Sequence, residues 1–240
     1  MTETLANQTT LSTLRENIIN LKEQEALNDV EELLKADVPP WDIMNCFNES
    51  LTQVGTMFQS GTYFMTGLIL AGEIMRQTME LLLPHLSEIR KPRKSGLILV
   101  GTIEGDIHDL GKNMAVWMLE ADGFEVVDLG VDVPSRVFLR EVLQREPDAV
   151  GISMLFTSCA EHVKRLARLI KEAYDDRPAP PIFVGCGFLN PSSENKADLR
   201  DQYMLERKWL GVDYLVEDAF DTLRLCRELV TKKFEQTKSS

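Results

Sequence analysis

Apolar positions follow two different patterns along the chain. Up to about residue 90 they recur with the spacing of helices that are apolar on one face. The helical stretches lie at about Leu11–Lys22, Glu25–Lys35, Trp41–Phe58 and Tyr63–Leu86. Pro39, Pro40 and Gly61 interrupt the pattern, as proline and glycine do between helices. We therefore predict a helical N-terminal domain over residues 1–90.

After residue 90, short apolar runs alternate with helical stretches. The runs lie near Gly96–Val100, Phe124–Asp128, Ala149–Ser153, Ile182–Gly185 and Asp213–Val216. This alternation is typical of a doubly wound parallel sheet. It predicts an α/β domain over residues 91–240, with a Rossmann-like (flavodoxin-like) five-stranded parallel sheet. The basic segment Arg90–Ser95 is predicted to be the linker between the domains.

The polar loop after the first apolar run carries the most informative chemistry. It contains Glu104, Gly105, Asp106, Ile107, His108, Asp109 and Gly111. Asp106 can accept one ring N–H of His108, which fixes the tautomer and makes the other ring nitrogen a better metal ligand. Gly111 has no Cβ, so the backbone there can approach a large ligand. The alternative is a surface histidine that a neighbouring aspartate stabilises.

Two later strand ends carry small or polar residues. Ser153 and Leu155 lie at the end of the third predicted strand, and Gly185 and Cys186 end the fourth. Ligands of open α/β sheets bind outside the carboxyl ends of the strands. These residues and the His108 loop are therefore expected to form one site.

The pattern Asp106-x-His108-x-x-Gly111, followed by Ser153-x-Leu155 and Gly185, resembles the cobalamin-binding module of methionine synthase and of corrinoid methyltransferase proteins. The resemblance implies a base-off cobalamin, whose own dimethylbenzimidazole leaves cobalt while His108 becomes the lower axial ligand. It also implies a deep slot for the nucleotide tail. Cofactor contacts implied along the polar loop and the slot are Glu104, Gly105, Asp106, Ile107, His108, Asp109, Gly111, Ser153, Leu155, Thr157, Gly185 and Cys186.

Two cysteines depart from the family pattern. Cys186 stands where the second glycine of the family pair is usual, which narrows the clearance there. Cys159 stands where a serine or threonine often extends the Asp–His hydrogen-bond relay, and a thiol is a weaker donor and acceptor. Neither departure removes His108.

The resemblance extends to both ends of the chain. The segment with Gly55, Phe58, Gly61 and Phe64 resembles the helical cap that covers the upper face of the corrin in corrinoid proteins. Further cofactor contacts implied by the resemblance are Glu49, Phe64, Met65 and Leu68 in the cap, and Asp218 and Ala219 after the last strand. Taken alone, a stripe of methionine and phenylalanine is more often core packing.

The resemblance implies a corrinoid methyl carrier whose cofactor alternates between methylcobalamin and cob(I)alamin. The implied partners are (β/α)8-barrel methyltransferases for the methyl donor and for the acceptor, tetrahydrofolate or a thiol, and a reductive activase for oxidised cobalt. Such a barrel takes about 250 residues, so this chain cannot also contain one. Methanol, methylamines, glycine betaine and aryl methyl ethers (O-demethylase systems of one-carbon metabolism) are the donors used by proteins of this pattern.

Three other classes of protein fit the sequence less well. A subunit of an adenosylcobalamin-dependent mutase carries the same ligand motif, but generally lacks a four-helix cap. A light-sensing cobalamin regulator requires a DNA-binding segment, and no basic recognition helix is evident. A flavodoxin-like signalling domain gives no reason for the Asp106–His108 pair.

Charge and cysteine content narrow the partners further. The formal net charge of −12 disfavours nucleic acid and anionic membranes as partners. No apolar run is long enough to span a bilayer, and the first residues do not resemble a signal peptide. The 4 cysteines are scattered without CxxC spacing, which fits a reducing compartment and opposes a zinc or iron–sulfur centre. We therefore expect a cytoplasmic protein.

Overall fold

The computed structural model describes residues 2–88, 96–175, 177–186 and 205–238. The chain forms two compact units, Met1–Ile89 and Arg90–Ser240. The predicted linker Arg90–Ser95 lies outside the described residues.

The first unit is helical, as the apolar spacing predicts. Its helices are α1 (Thr2–Ile19), α2 (Glu23–Lys35), α3 (Pro40–Gln59) and α4 (Met65–Glu88). Each turns an apolar face inward, so that Leu14, Val30, Phe47 and Met75 have no exposed surface. Helix α1 ends three residues before the predicted Lys22, because Leu21 adopts the left-handed conformation with φ of 57°.

The second unit contains the predicted parallel sheet. Its strands are β1 (Leu97–Thr102), β2 (Glu125–Asp128), β3 (Ala149–Met154), β4 (Ile182–Cys186) and β5 (Tyr214–Val216). They pair in the order β2-β1-β3-β4-β5, and every pair is parallel. The prediction of a five-stranded, flavodoxin-like sheet is confirmed.

Helices cover both faces of this sheet. They are α5 (Leu110–Ala121), α6 (Ser135–Arg145), α7 (Ala160–Tyr174), α8 (205–210) and α9 (Ala219–Lys238). Residues alternate along β1, so Ile98 and Val100 join the core with α5 and α9, while Leu99 joins the core with α6 and α7. The carboxyl edge of the strands is left to the connecting loops.

The chain winds in opposite directions on the two sides of β1. Strand β2 lies on one side of it and β3 on the other, so the loops after β1 and β3 leave a topological switch point. Strand β1 ends two residues later than the predicted Val100, because Gly101 and Thr102 still pair with β3. One row of paired residues, Thr102, Ser153, Gly185 and Val216, crosses the sheet close to this edge.

None of the helices in the described residues combines the length and the apolar character needed to cross a membrane.

Candidate functional site

The buried carboxylate of Asp106 connects the loops after β1 and β3. Its Oδ1 accepts the backbone N–H of His108 at 3.0 Å and ring Nδ1 of the same residue at 2.6 Å. Its Oδ2 accepts the backbone N–H groups of Leu155 at 2.6 Å and Phe156 at 3.3 Å. One side chain therefore joins the two loops that border the switch point.

The same hydrogen bonds keep Asp106 ionised. Burial raises the pKa of its carboxyl, but the hydrogen bonds from Leu155, His108 and Phe156 together outweigh burial, and the pKa lies below its usual 3.8. An ionised acceptor favours the tautomer of His108 with its proton on Nδ1 and a lone pair on Nε2.

The imidazole of His108 is held on one side and open on the other. Its ring meets Phe156 edge-on, with centroids 4.8 Å apart and planes at 89°. Its side chain is 46% exposed, and within the described residues only Nδ1 has a hydrogen-bond partner. Nε2 is therefore available as a metal ligand.

A metal at His108 would need most of its ligands from elsewhere. The described residues contain no group of three or more His, Cys, Asp or Glu side chains that could hold an ion. Cobalt in a corrin ring would meet this condition, because the ring would supply most of the ligands and His108 would supply one.

Asp132, in the loop after β2, holds the polar loop from the outside. Its Oδ1 accepts the N–H of Gly105 at 2.8 Å, and its own N–H donates to the carbonyl of Asp106 at 2.9 Å. Gly105 has a φ of 87°, which a residue with a Cβ rarely adopts. Sequence reasoning missed Asp132. The one feature of the sequence that could have indicated it is its position after an apolar run, which places it at the same edge of the sheet as the polar loop.

Lys112 is a second residue that the sequence did not single out. Its side chain is buried, and its ammonium donates to Asp128 at the end of β2 and to Asn113. The amide of Asn113 donates in turn to Asp109 at 3.1 Å. The start of α5, two residues after His108, is thereby joined to the end of β2.

Exposed apolar side chains lie in the polar loop and in the loops after β2 and β3, and we call them the apolar rim. It consists of Ile107, Val131, Leu155 and Phe156, whose exposed fractions run from 39% to 71%. A Cβ on Gly111 would have no atom within 4 Å, so the space beside it is open. Exposed apolar side chains around a few oriented polar groups are typical of a ligand site.

Other residues implied for the slot lie along the same edge. Ser153 and Gly185 are register partners and both are half-buried, while the exposed Thr157 opens a short 3-10 turn. A Cβ on Gly185 would lie 3.6 Å from Val216, an ordinary contact. Cys186 ends β4 opposite Met154, and its side chain lies outside the described part of the chain.

Cys159 is buried under the polar loop. Its Sγ lies 3.4 Å from the position that a Cβ on Gly105 would take, and 4.0 Å from the hydroxyl of Ser158. The hydrogen bonds described for Asp106 come from His108 and from backbone amides, and none comes from Cys159. Backbone amides thus occupy the carboxylate oxygen that faces away from the ring.

The remaining predicted residues of the second unit have structural partners. Glu104 lies 3.4 Å from Nδ1 of His162 on α7. Asp218 accepts the N–H of Asp221 at 2.8 Å and so caps α9, and Ala219 is the buried first residue of that helix. Both follow β5 at the carboxyl edge of the sheet.

In the helical unit, the predicted contacts divide into two groups. Glu49 on α3 accepts hydrogen bonds from Arg15 and Asn45 within the unit. Phe64 and Met65, at the start of α4, are 78% and 60% exposed, and Leu68 is half-buried. Met75 and Met79, farther along the methionine-rich stripe, are core residues. The start of α4 is therefore an apolar surface of the helical unit.

A doubly wound sheet with an aspartate-oriented histidine at its switch point is the arrangement that the resemblance to corrinoid-binding proteins implies. Comparison with known families agrees. Residues 96–221 match a family model described as "B12 binding domain", and residues 10–83 match a second model of the same description. The chain belongs to the cobalamin-binding corrinoid protein family, and its cofactor is cobalamin. The ring nitrogen of His108, the space beside Gly111 and the apolar rim all fit that cofactor.

Individual relatives are similar over most of their length. Dimethylamine corrinoid protein 3 of Methanosarcina acetivorans is 32% identical over 217 residues, which cover 89% of this chain and 93% of the relative. Trimethylamine corrinoid protein 2 of the same organism is 35% identical, over 66% of this chain and 74% of the relative. The structure of the Methanosarcina barkeri monomethylamine corrinoid protein superposes with a TM-score of 0.76 at 27% identity, covering 93% of this chain and 99% of that chain.

Proposed function

We propose that this chain is a corrinoid methyl carrier that binds cobalamin base-off, with Nε2 of His108 as the lower axial ligand. The observation that carries the proposal is the 2.6 Å bond from Nδ1 of His108 to the buried Asp106, which orients the ring and leaves Nε2 for a metal. Bound cobalamin supplies a cobalt atom that can accept a methyl group and give it up again. The chain holds the cofactor, and partner methyltransferases supply the catalysis.

The proposed partners act before and after the carrier in the transfer of the methyl group. A (β/α)8-barrel methyltransferase loads the methyl group, and a second methyltransferase transfers it to tetrahydrofolate or to a thiol. A reductive activase restores oxidised cobalt. The relatives named for monomethylamine, dimethylamine and trimethylamine support a methylated amine as the donor.

The helical unit supports a methyl carrier over a mutase subunit. Residues 10–83 match a B12-binding family model of their own, and the relatives that cover most of the chain are named as corrinoid proteins. The exposed apolar side chains of Phe64 and Met65, at the start of α4, are the cofactor contacts that we propose for the helical unit.

Electron paramagnetic resonance tests the ligand assignment. The full chain is loaded with cobalamin, reduced to cobalt(II), and prepared with natural or 15N-ring-labelled histidine. We expect nitrogen splitting of the cobalt signal that changes with the histidine label, and loss of this dependence in His108→Ala. His85→Ala, which changes an exposed histidine in the last turn of α4, is the matched control. Nitrogen splitting that does not change with the histidine label would show that dimethylbenzimidazole is still the ligand and would refute the proposal.

A further inference from the structure

One residue outside the polar loop holds two consecutive residues of that loop. Asp132 receives the N–H of Gly105 on its carboxylate and donates its own N–H to the carbonyl of Asp106. These two hydrogen bonds hold the backbone on both sides of the Asp106 Cα, at the N–H of the preceding residue and at the carbonyl of Asp106 itself. The next residue, Val133, donates its N–H to the carbonyl of Thr102 at 3.0 Å, which joins the same loop to the end of β1.

The backbone of Asp132 is adapted to this position. Its φ is 52°, in the left-handed region, where aspartate and asparagine are more easily accommodated than other residues with a Cβ. This conformation accompanies an arrangement in which the side-chain oxygen and the backbone N–H both meet the polar loop. Alanine at this site would lose the acceptor and would also strain the backbone.

Two sets of hydrogen bonds connect Asp132 to the ring of His108. Asp132 holds the backbone of Asp106, while Leu155 and Phe156 hold its carboxylate. That carboxylate then takes both the backbone N–H and ring Nδ1 of His108. Because both the backbone and the carboxylate of Asp106 are held, its Oδ1 is fixed in one position relative to the ring of His108.

We propose that Asp132 is a positioning residue for His108: it sets the direction of Nε2 through the backbone of Asp106. The inference rests on the proposed role of His108 as the axial ligand. Asp132 itself is exposed and touches the ring only through this path, so its removal should disturb the ligand geometry more than the fold.

Three variants separate the acceptor from the backbone strain. Asp132→Asn keeps an acceptor oxygen and tolerates positive φ. Asp132→Gly tolerates positive φ but removes the acceptor, and Asp132→Ala lacks both advantages. Asp122→Asn, which alters a carboxylate paired with Arg227 at the far end of α5, is the matched control.

Two measurements on the full chain read the position of the ring. In the cofactor-free protein, 15N spectra of labelled histidine report the tautomer of His108. In the cobalamin-loaded cobalt(II) protein, electron paramagnetic resonance reports the fraction with histidine ligation. We expect a single Nδ1-protonated tautomer in the parent chain and in Asp132→Asn. Asp132→Gly and Asp132→Ala should show mixed tautomers and bind cobalamin about tenfold more weakly, the low end for outer partners of a ligand.

The outcomes distinguish this inference from the proposed function. Parent-like tautomer and ligation in Asp132→Gly would overturn the role of Asp132 while leaving His108 as the ligand. A cobalt signal without histidine splitting in the parent chain would overturn the proposed function itself. If Asp132→Ala does not fold, the pair Asp132→Gly and Asp132→Asn still decides, because failure of asparagine to restore the parent spectra would also overturn the inference.

Discussion

At the scale of single residues, the site depends on an ionised carboxylate that is saturated by donors. Asp106 accepts two N–H groups from His108 and two from the loop after β3. An amide in its place has one oxygen and an NH2 group that would face some of those donors. We expect Asp106→Asn to weaken cobalamin binding about 10–100-fold, the range found for outer partners of metal ligands. Equilibrium dialysis against cobalamin measures this, with Asp122→Asn as the control.

The pH dependence of this variant gives an independent check. The pKa of Asp106 lies below 3.8 in the folded protein, so its contribution to stability is fully present above that value. It is lost as the pH falls through the lowered pKa. Urea unfolding should therefore show a free-energy difference between parent and Asp106→Asn that shrinks as the pH falls below about 4. A difference that grows on acidification would contradict the assignment.

Residues close in sequence were predictable, and residues joined by the fold were not. The Asp106–His108 pair follows from its own two-residue spacing and from the chemistry of the two side chains. Phe156 and Asp132 reach the same loop only because β1 lies between β2 and β3, an order that apolar spacing does not determine. The buried Lys112 was missed because lysine is seldom buried without a partner, and its partner Asp128 comes 16 residues later.

At the scale of elements, α5 is fastened to β2 by an unequal ion pair. The side chain of Lys112 is 4% exposed, whereas that of Asp128 is 32% exposed. Removing the aspartate leaves a buried ammonium without its counter-ion, while removing the lysine leaves a carboxylate that water can still reach. Asp128→Asn should therefore lower the free energy of unfolding by about 3 kcal/mol, as when a buried pair is broken.

Lys112→Met is the matched variant for this pair. Methionine keeps the unbranched shape of lysine and places no charge in the buried position. We therefore expect the free energy of unfolding to fall by about 1 kcal/mol or less. Urea unfolding of both variants measures the difference. Equal losses, or a larger loss in Lys112→Met, would show that the ammonium is not the group that needs its partner.

Helices and strands were predicted well where apolar spacing alone determines them. The four N-terminal helices and the five strands follow from that spacing, but their ends depend on other contacts. Strand β1 continues beyond the apolar run because Gly101 and Thr102 pair with residues of β3, and the sequence of β1 alone does not reveal that pairing. Helix α1 stops early because Leu21 leaves the helical region of φ.

At the scale of the whole molecule, the chain combines two units with separate buried cores. The sheet unit carries the Asp106–His108 pair and an apolar core on each face of its strands. The helical unit carries an exposed apolar surface at the start of α4. Both units match B12-binding models. The net charge of −12 belongs to the chain as a whole and gives its copies a mutual repulsion.

The apolar rim has a consequence for the colloidal behaviour of the freshly made chain. We propose that bound cobalamin covers Ile107, Leu155 and Phe156. Where these apolar side chains are exposed, copies of the chain can adhere through them, and charge repulsion keeps the copies apart. Salt screens that repulsion. Sedimentation velocity should therefore show the cofactor-free chain self-associating as sodium chloride is raised, and the cobalamin-loaded chain sedimenting as before. Ile107→Ser should suppress the association, and Leu143→Ser, an exposed leucine on α6, should leave it unchanged. If loading does not alter the salt response, the rim is not the adhesive surface.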